Sequence, residues 1–312
     1  MLVSNHTYNS IKTKHLMPAK WLIVVIFILI AFLGSKAQQL PQISQYSFNN
    51  YVINPATAGV EDYFEVKSMN RYQWTGLTDA PRTFTIALTA PFKNPRVAMG
   101  GYLFVDNVGP TRRTGIQASY AYHLPLNENL KLSFSASMGV MQFAIDGSRI
   151  TLATDGDPAL FNTLNSKILF DAKFGAYLYS ESFYLGFTLP QLLQNKVDLF
   201  NTTDPSLSRL EDHYLINAGY KWQLNEDFML EPSALIKYVD PAPIKIDATL
   251  RVFYKTMVWA GGSWRNNDAW VAMAGYEWNE QVSLGYAFDF TTSNLKNYSD
   301  GTHEIVLGLK FK

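Results

Sequence analysis

Phe228-Met229-Leu230-Glu231-Pro232-Ser233-Ala234-Leu235-Ile236-Lys237-Tyr238-Val239 repeats in steps of two. Phe228, Leu230, Pro232, Ala234, Ile236 and Tyr238 share one face, and Glu231, Ser233 and Lys237 share the other. Beyond Asp240-Pro241-Ala242-Pro243 the pattern restarts, with Ile244, Ile246, Ala248, Leu250, Val252 and Tyr254 set against Lys245, Asp247, Thr249 and Arg251. Successive side chains of a strand point to opposite sides of its sheet, so one side of this hairpin is continuously apolar and the other is charged. A hairpin that crosses a membrane needs this division.

The same alternation extends in both directions. Ile116, Ala118, Tyr120, Tyr122 and Leu124 oppose Gln117, Ser119 and His123, and Val282, Leu284, Tyr286, Phe288 and Phe290 oppose Ser283, Gly285 and Asp289. From residue 60 to 312 the pattern predicts about 14 strands, an all-β chain closing as a transmembrane antiparallel β-barrel. Mean hydropathy of −0.06 looks soluble, because each lipid-facing residue is averaged with a polar neighbour. The 14% aromatic content is more telling, since aromatic side chains gather where a barrel wall meets the headgroups. A soluble β-sandwich with one wet face explains alternation equally well. It does not explain so many strands whose apolar side carries no charge.

Short connections at Lys93-Asn94-Pro95-Arg96, Asn127-Glu128-Asn129, Ser180-Glu181, Asn225-Glu226-Asp227, near Lys255 and at Asn279-Glu280 are every second one. Longer ones are expected between them, at Tyr72 to Pro81, Asn107 to Arg112, Asp146 to Lys167, Gln191 to Glu211 and Thr292 to Gly301. Outer-membrane barrels have short periplasmic turns and long outer loops, so both ends of the barrel chain are expected in the periplasm.

One segment is hydrophobic throughout, Trp21 to Leu33, after Lys12, Lys14 and Lys20 and before Ser35-Lys36-Ala37. A basic start, a short apolar middle and small residues at the end predict a signal peptide over residues 1–37, cut between Ala37 and Gln38. A membrane anchor is the alternative, for which the run is short. Translation could equally start at Met17. Removing residues 1–37 leaves 22 basic and 26 acidic residues, a formal charge of −4 that argues against nucleic acid as a partner. The chain has no cysteine, which excludes a lipid-modified cysteine anchor, disulfides and thiol chemistry. Residues 38–59, polar and aromatic with Pro55, hold no clean strand and are expected as a lead-in packed against or into the barrel.

The inward faces carry Glu231, Lys237, Lys245, Asp247 and Arg251 on adjacent strands, expected as a network of lumen charges with Lys131, Asp171, Lys173 and Asp289 elsewhere. They could fill the lumen as ion pairs or line a wet pore, and filling together with the lead-in is favoured. Catalysis needs a base beside a nucleophile, and His123, His213 and His303 stand in no such motif. Asp155-Gly156-Asp157 could hold calcium but reads better as a turn. No cofactor and no small-molecule substrate are expected. The final stretch, ending Lys310-Phe311-Lys312, alternates to its end, with Phe311 as the aromatic of an insertion signal.

Ser44-Gln45-Tyr46-Ser47-Phe48-Asn49, Asn54-Pro55-Ala56, Arg71-Tyr72-Gln73-Trp74, Ala80-Pro81-Arg82-Thr83 and Gly285-Tyr286-Ala287-Phe288-Asp289 stand in an order that resembles the PorP/SprF family. These are outer-membrane barrels of the type IX secretion system of Bacteroidetes, and the likeness runs through Gly301-Thr302-His303-Glu304-Ile305. The resemblance implies a non-enzymatic protein that supports secretion or surface attachment of large proteins such as gliding adhesins. Its partners would be outer-membrane lipid, other secretion components or a cognate adhesin. An outer-membrane channel or transporter for a small solute is the alternative. Arg71, Trp74, Pro81 and Arg82 flank the first long connection, where a stacked guanidinium and indole would fix the loop or grip a partner. A plain strand-end rim is the other reading of these four. Asn54 and Pro55 are candidates of the same kind.

Overall fold

A computed structural model describes residues 40–150, 164–193, 212–240 and 242–311. The segment Met1–Ala37, with its expected cleavage site at Ala37 and Gln38, lies outside them, as does Asp155-Gly156-Asp157.

The wall is a single antiparallel sheet: β1 (Phe64–Tyr72), β2 (Arg82–Pro91), β3 (Val97–Val108), β4 (Thr111–Pro125), β5 (Lys131–Asp146), β6 (Leu164–Tyr179), β7 (Phe183–Leu189), β8 (His213–Tyr220), β9 (Trp222–Gln223), β10 (Phe228–Val239), β11 (Lys245–Tyr254), β12 (Val258–Arg265), β13 (Ala269–Trp278), β14 (Val282–Thr291) and β15 (Thr302–Phe311). β8 and β9 are two parts of one wall strand, broken at Lys221, and both pair with β10. Each strand pairs with its sequence neighbours and β15 pairs with β1, so fourteen strands close into a barrel. Closure joins the first and last strands of the sheet edge to edge.

Alternation places the sequence as expected, inside out relative to a soluble protein. Met138 (78% exposed), Ile168 (69%) and Phe170 (68%) point outward, whereas Ser133, Ser135 and Ser137 are buried toward the lumen. One stacked face of buried aliphatics, as a sandwich requires, is not what forms. Exposed aromatics cluster at both strand ends: Phe183, Trp222, Phe228, Tyr254, Trp278 and Phe311 at one, Tyr72, Tyr214, Tyr238, Trp264, Trp270 and Phe290 at the other. From Phe228 to Tyr238 the strand runs about 34 Å, or about 25 Å along the barrel axis at the usual tilt, the height of a hydrocarbon band.

Connections alternate as read, with one correction. Asn107 to Arg112 is not a longer loop: Val108 pairs with Thr111, leaving only Gly109-Pro110 between β3 and β4. Gly109 adopts φ +57°, a left-handed conformation that glycine tolerates. At the long-loop end β6 starts at Leu164, whereas its pairing with β7 begins at Phe174.

Residues 40–63 occupy the lumen. They include a short helix α1 (Asn50–Ile53) and a 3-10 turn (Pro55–Thr57). Ile43, Tyr46 and Ile53 pack on Met69 of β1, Leu215 of β8, Leu235 of β10 and Val306 of β15, so the apolar core lies within the barrel. The segment starts near Gln42 and Ser44, beside the long-loop ends of β10, β14 and β15, and descends to Ala58, beside His123 near the short-turn end of β4.

Candidate functional site

The lead-in is fastened at three levels, and the highest is ionic. Ser44 is 2% exposed; its Oγ donates to Asp289 Oδ1 at 2.7 Å and accepts from Arg71 Nη1 at 2.8 Å and Arg265 Nη2 at 3.1 Å. The backbone N–H groups of Ser44 and Gln45 donate to the two oxygens of Glu304, each at 2.8 Å. Arg71 pairs with Asp289 at 2.8 Å and Glu304 at 3.0 Å; Arg265 pairs with Asp289 at 3.0 Å and Asp247 at 2.8 Å. Lys237 completes the group, donating to Asp247 at 2.7 Å and to Gln42 Oε1 at 2.6 Å. Three cations, Arg71, Lys237 and Arg265, thereby meet four carboxylates, the buried Asp247, Asp289 and Glu304 and, at 3.4 Å from Arg265, the more exposed Asp268. A buried charge without such partners would cost several kcal/mol.

At mid-height Tyr51 Oη lies 2.7 Å from Ser119 Oγ, and Lys173 Nζ donates to Val52 O at 3.4 Å and to Tyr102 Oη at 3.2 Å. Asn54 is fully buried: its Nδ2 donates to Ala176 O at 3.0 Å, and its Oδ1 caps the next turn by accepting from Ala56 N at 3.0 Å. Pro55, at the first position of that turn, loses no hydrogen bond, because first-turn N–H groups have no partner within a helix. Gly175 and Gly186 on the wall make room, since a Cβ at either would strike the Asn54 amide.

Nearer the short turns Arg251 pairs with Glu231 at 2.9 Å, and its guanidinium lies 5.3 Å from the Trp259 ring centroid. Tyr184 Oη donates to the same Glu231 oxygen at 3.1 Å. Below it His123 Nε2 lies 2.9 Å from Ala58 O, while Nδ1 lies 2.9 Å from Tyr179 Oη. His123 is therefore a strut between lead-in and wall. His303 is elsewhere, 2.8 Å from Tyr286 Oη on the outer face.

Of the expected lumen charges, Glu231 meets Arg251 and Lys237 meets Asp247, in two separate groups. Lys245 stands opposite Lys237 at the strand end and joins neither group among the described residues. Lys131 sits exposed at its strand end, and Asp171 accepts from Gln117 at 2.8 Å. Arg71 departs most from expectation. It is 2% exposed inside the lumen, rather than stacked on Trp74 at the rim. Trp74, at φ +53°, helps fix the first long connection through its backbone, donating to Thr302 Oγ1 at 3.0 Å, and Thr75 N donates to Gly301 O at 2.8 Å. Pro81 accepts from Gln73 N at 2.9 Å, and exposed Arg82 lies over the Tyr72 ring at 5.9 Å. Sequence reasoning missed Arg265 and Glu304. Both stand one or two residues from a connection yet keep the inward parity of their strands. Among the described residues no cluster of metal-ligating side chains occurs.

Similarity of fold is widespread among solved barrels. The chain is similar to a monoaromatic hydrocarbon channel, CymD (10% identity, TM-score 0.48, covering 90% of this chain and 95% of that one). It is also similar to the Acinetobacter baumannii outer membrane protein Omp33 (15%, 0.46, 81% and 99%) and to a Pseudomonas aeruginosa FadL homologue (13%, 0.44, 90% and 95%). No curated protein sequence matches the chain. The family model for the type IX secretion system membrane protein PorP/SprF matches residues 35–309, nearly the whole length. The chain belongs to the PorP/SprF family of type IX secretion system membrane proteins.

Proposed function

We propose that this barrel acts through protein contacts rather than by passing solutes or by catalysis, supporting export or surface attachment of large secreted proteins such as adhesins. The observation that carries the reading is the lead-in across the lumen, held by the ionic cluster around Ser44. A path for solutes would have to displace the lead-in, breaking the buried hydrogen bonds of Ser44 and Gln45 to Asp289 and Glu304. The first long connection, tied to the last through Thr75 and Gly301, supplies a fixed part of the long-loop rim for a partner. In this reading the short turns and both barrel ends face the periplasm, residues 1–37 are a signal peptide, and Phe311 belongs to the insertion signal.

Removing the gene and comparing surface and secreted proteins tests the function. Loss of one or more very large surface proteins, restored by the wild-type chain, is the expected result. Steady large conductance of the purified wild type in planar bilayers would favour a solute channel instead. Arg82→Ala tests the rim: full surface display at normal barrel levels would remove Arg82 from partner binding. Amino-terminal sequencing of the mature protein should begin at Gln38.

A further inference from the structure

The outward faces of the strands are nearly free of charge. Among the described strand residues with outward parity, only Arg82 of β2, Arg112 of β4 and Asp146 at the end of β5 carry a formal charge with histidine neutral. Asp146 is already engaged, accepting from Ser148 N at 3.1 Å and from Ser148 Oγ at 2.6 Å. Inward neighbours fix the direction of the two arginines. Thr83 and Arg113 both turn to the buried Asp106, so Arg82 and Arg112 turn the other way, and both are exposed.

The two arginines belong to one row. Arg82 is the register partner of Asn107 on β3, and Asn107 is that of Arg112, so the arginine backbones stand two strands, about 10 Å, apart with an amide between them. Neither arginine forms an ion pair among the described residues. Arg82 rests over the Tyr72 ring at 5.9 Å, a contact with the ring face that leaves the N–H donors at the guanidinium edge free. Toward mid-barrel the next row is Phe84, Val105 and Thr114, and the one after it is Ile86, Leu103 and Ile116, which are 41%, 40% and 56% exposed. The arginines therefore stand where the apolar band ends, a depth at which a cation without a counter-charge is unfavourable.

We propose that Arg82, Asn107 and Arg112 bind the phosphorylated headgroup of an anionic lipid in the leaflet at the long-loop end, with its acyl chains lying on Ile86, Leu103 and Ile116. Guanidinium groups only donate and phosphate oxygens accept, and arginine meets phosphate with two parallel hydrogen bonds. The amide of Asn107 adds a donor between them. A zwitterionic headgroup would bring its own cation to the same place and lose part of the attraction. A soluble anion would leave the apolar strip uncovered. The inference needs only that the barrel lies in a membrane, and it stands or falls separately from the secretion role.

The test uses the full mature chain in neutral detergent micelles and native mass spectrometry to count bound lipid, with phosphatidic acid and phosphatidylcholine as probes. Wild type should bind phosphatidic acid more tightly than phosphatidylcholine. Arg82→Gln and Arg112→Gln should each weaken phosphatidic acid about fivefold, the usual weight of one cation at a membrane surface. Arg96→Gln, which removes an exposed cation from the turn after β2, should leave binding unchanged. Equal binding of the two lipids by wild type, full affinity in either arginine variant, or the same loss in Arg96→Gln would overturn the site. Inorganic phosphate displacing the lipid at equal concentration would assign the arginines to a soluble anion and overturn the lipid as occupant. Should the variants not fold, phosphatidic acid with a diazirine in its headgroup decides on wild type. Adducts on Arg82, Asn107 or Arg112 support the site, and adducts confined to other strands overturn it. Unchanged lipid binding with lost surface display in Arg82→Gln would give Arg82 to a protein partner instead.

Discussion

Arg71 and Glu304 are register partners across the junction of the first and last strands, and their side chains meet at 3.0 Å. The same two residues bind Ser44, so the contact that closes the barrel also fastens the segment inside it. Arg71→Ala would leave Glu304 without its only ion-pair partner among the described residues and Asp289 with Arg265 alone. Loss of one partner of a buried pair costs about 3–5 kcal/mol. Denaturant unfolding in micelles should show a loss of that size.

Gly175→Ala puts a methyl against the Asn54 amide. Overpacking of this kind costs about 1–3 kcal/mol, and it acts on the lead-in rather than on the ladder. Hydrogen exchange should rise over residues 50–58 and stay unchanged in β11 to β14.

Leu307 lies midway along β15 and faces outward, 48% exposed. Leu307→Arg should destabilise the folded protein in bilayers by about 2–4 kcal/mol, the cost of a cation on the lipid face near mid-membrane. The same change at Leu126, in the exposed short turn after β4, should cost about 0–1 kcal/mol. Equal costs at the two positions would contradict the membrane placement.

Deleting residues 40–59 should turn a silent barrel into a conducting one in planar bilayers. The ion pairs of Arg265 with Asp247 and Asp289 are made by wall residues alone and remain when Ser44 is gone. A deletion protein that folds yet still fails to conduct would mean that something other than the lead-in blocks the lumen.

Strand alternation was legible because period two is short and survives error in strand boundaries. At Phe228 to Tyr254 it separates Glu231, Lys237, Asp247 and Arg251 from the lipid face without any knowledge of pairing. Ends of strands were harder. Arg71 shares parity with Lys67 and Met69, which would have turned it inward, but its nearness to Trp74 and Arg82 suggested the rim. Asn107 to Arg112 reads as a longer loop around Gly109-Pro110, whereas Asn107 and Arg112 face each other in the ladder. What no local pattern could give is the meeting of Ser44 with Asp289, 245 residues away, since that depends on the closed barrel.

The course of the lead-in has a consequence for the order of events in biogenesis. Its first described residues lie at the end opposite the start of β1, and the gap beside β1 is filled by β15, the last of the described strands in chain order. Pushing a folded segment lengthwise through a finished tube would mean breaking and remaking all three fastenings. Curling the sheet around a segment already in place avoids this, so the occupant is wrapped rather than threaded, and sealing of the wall is the final act.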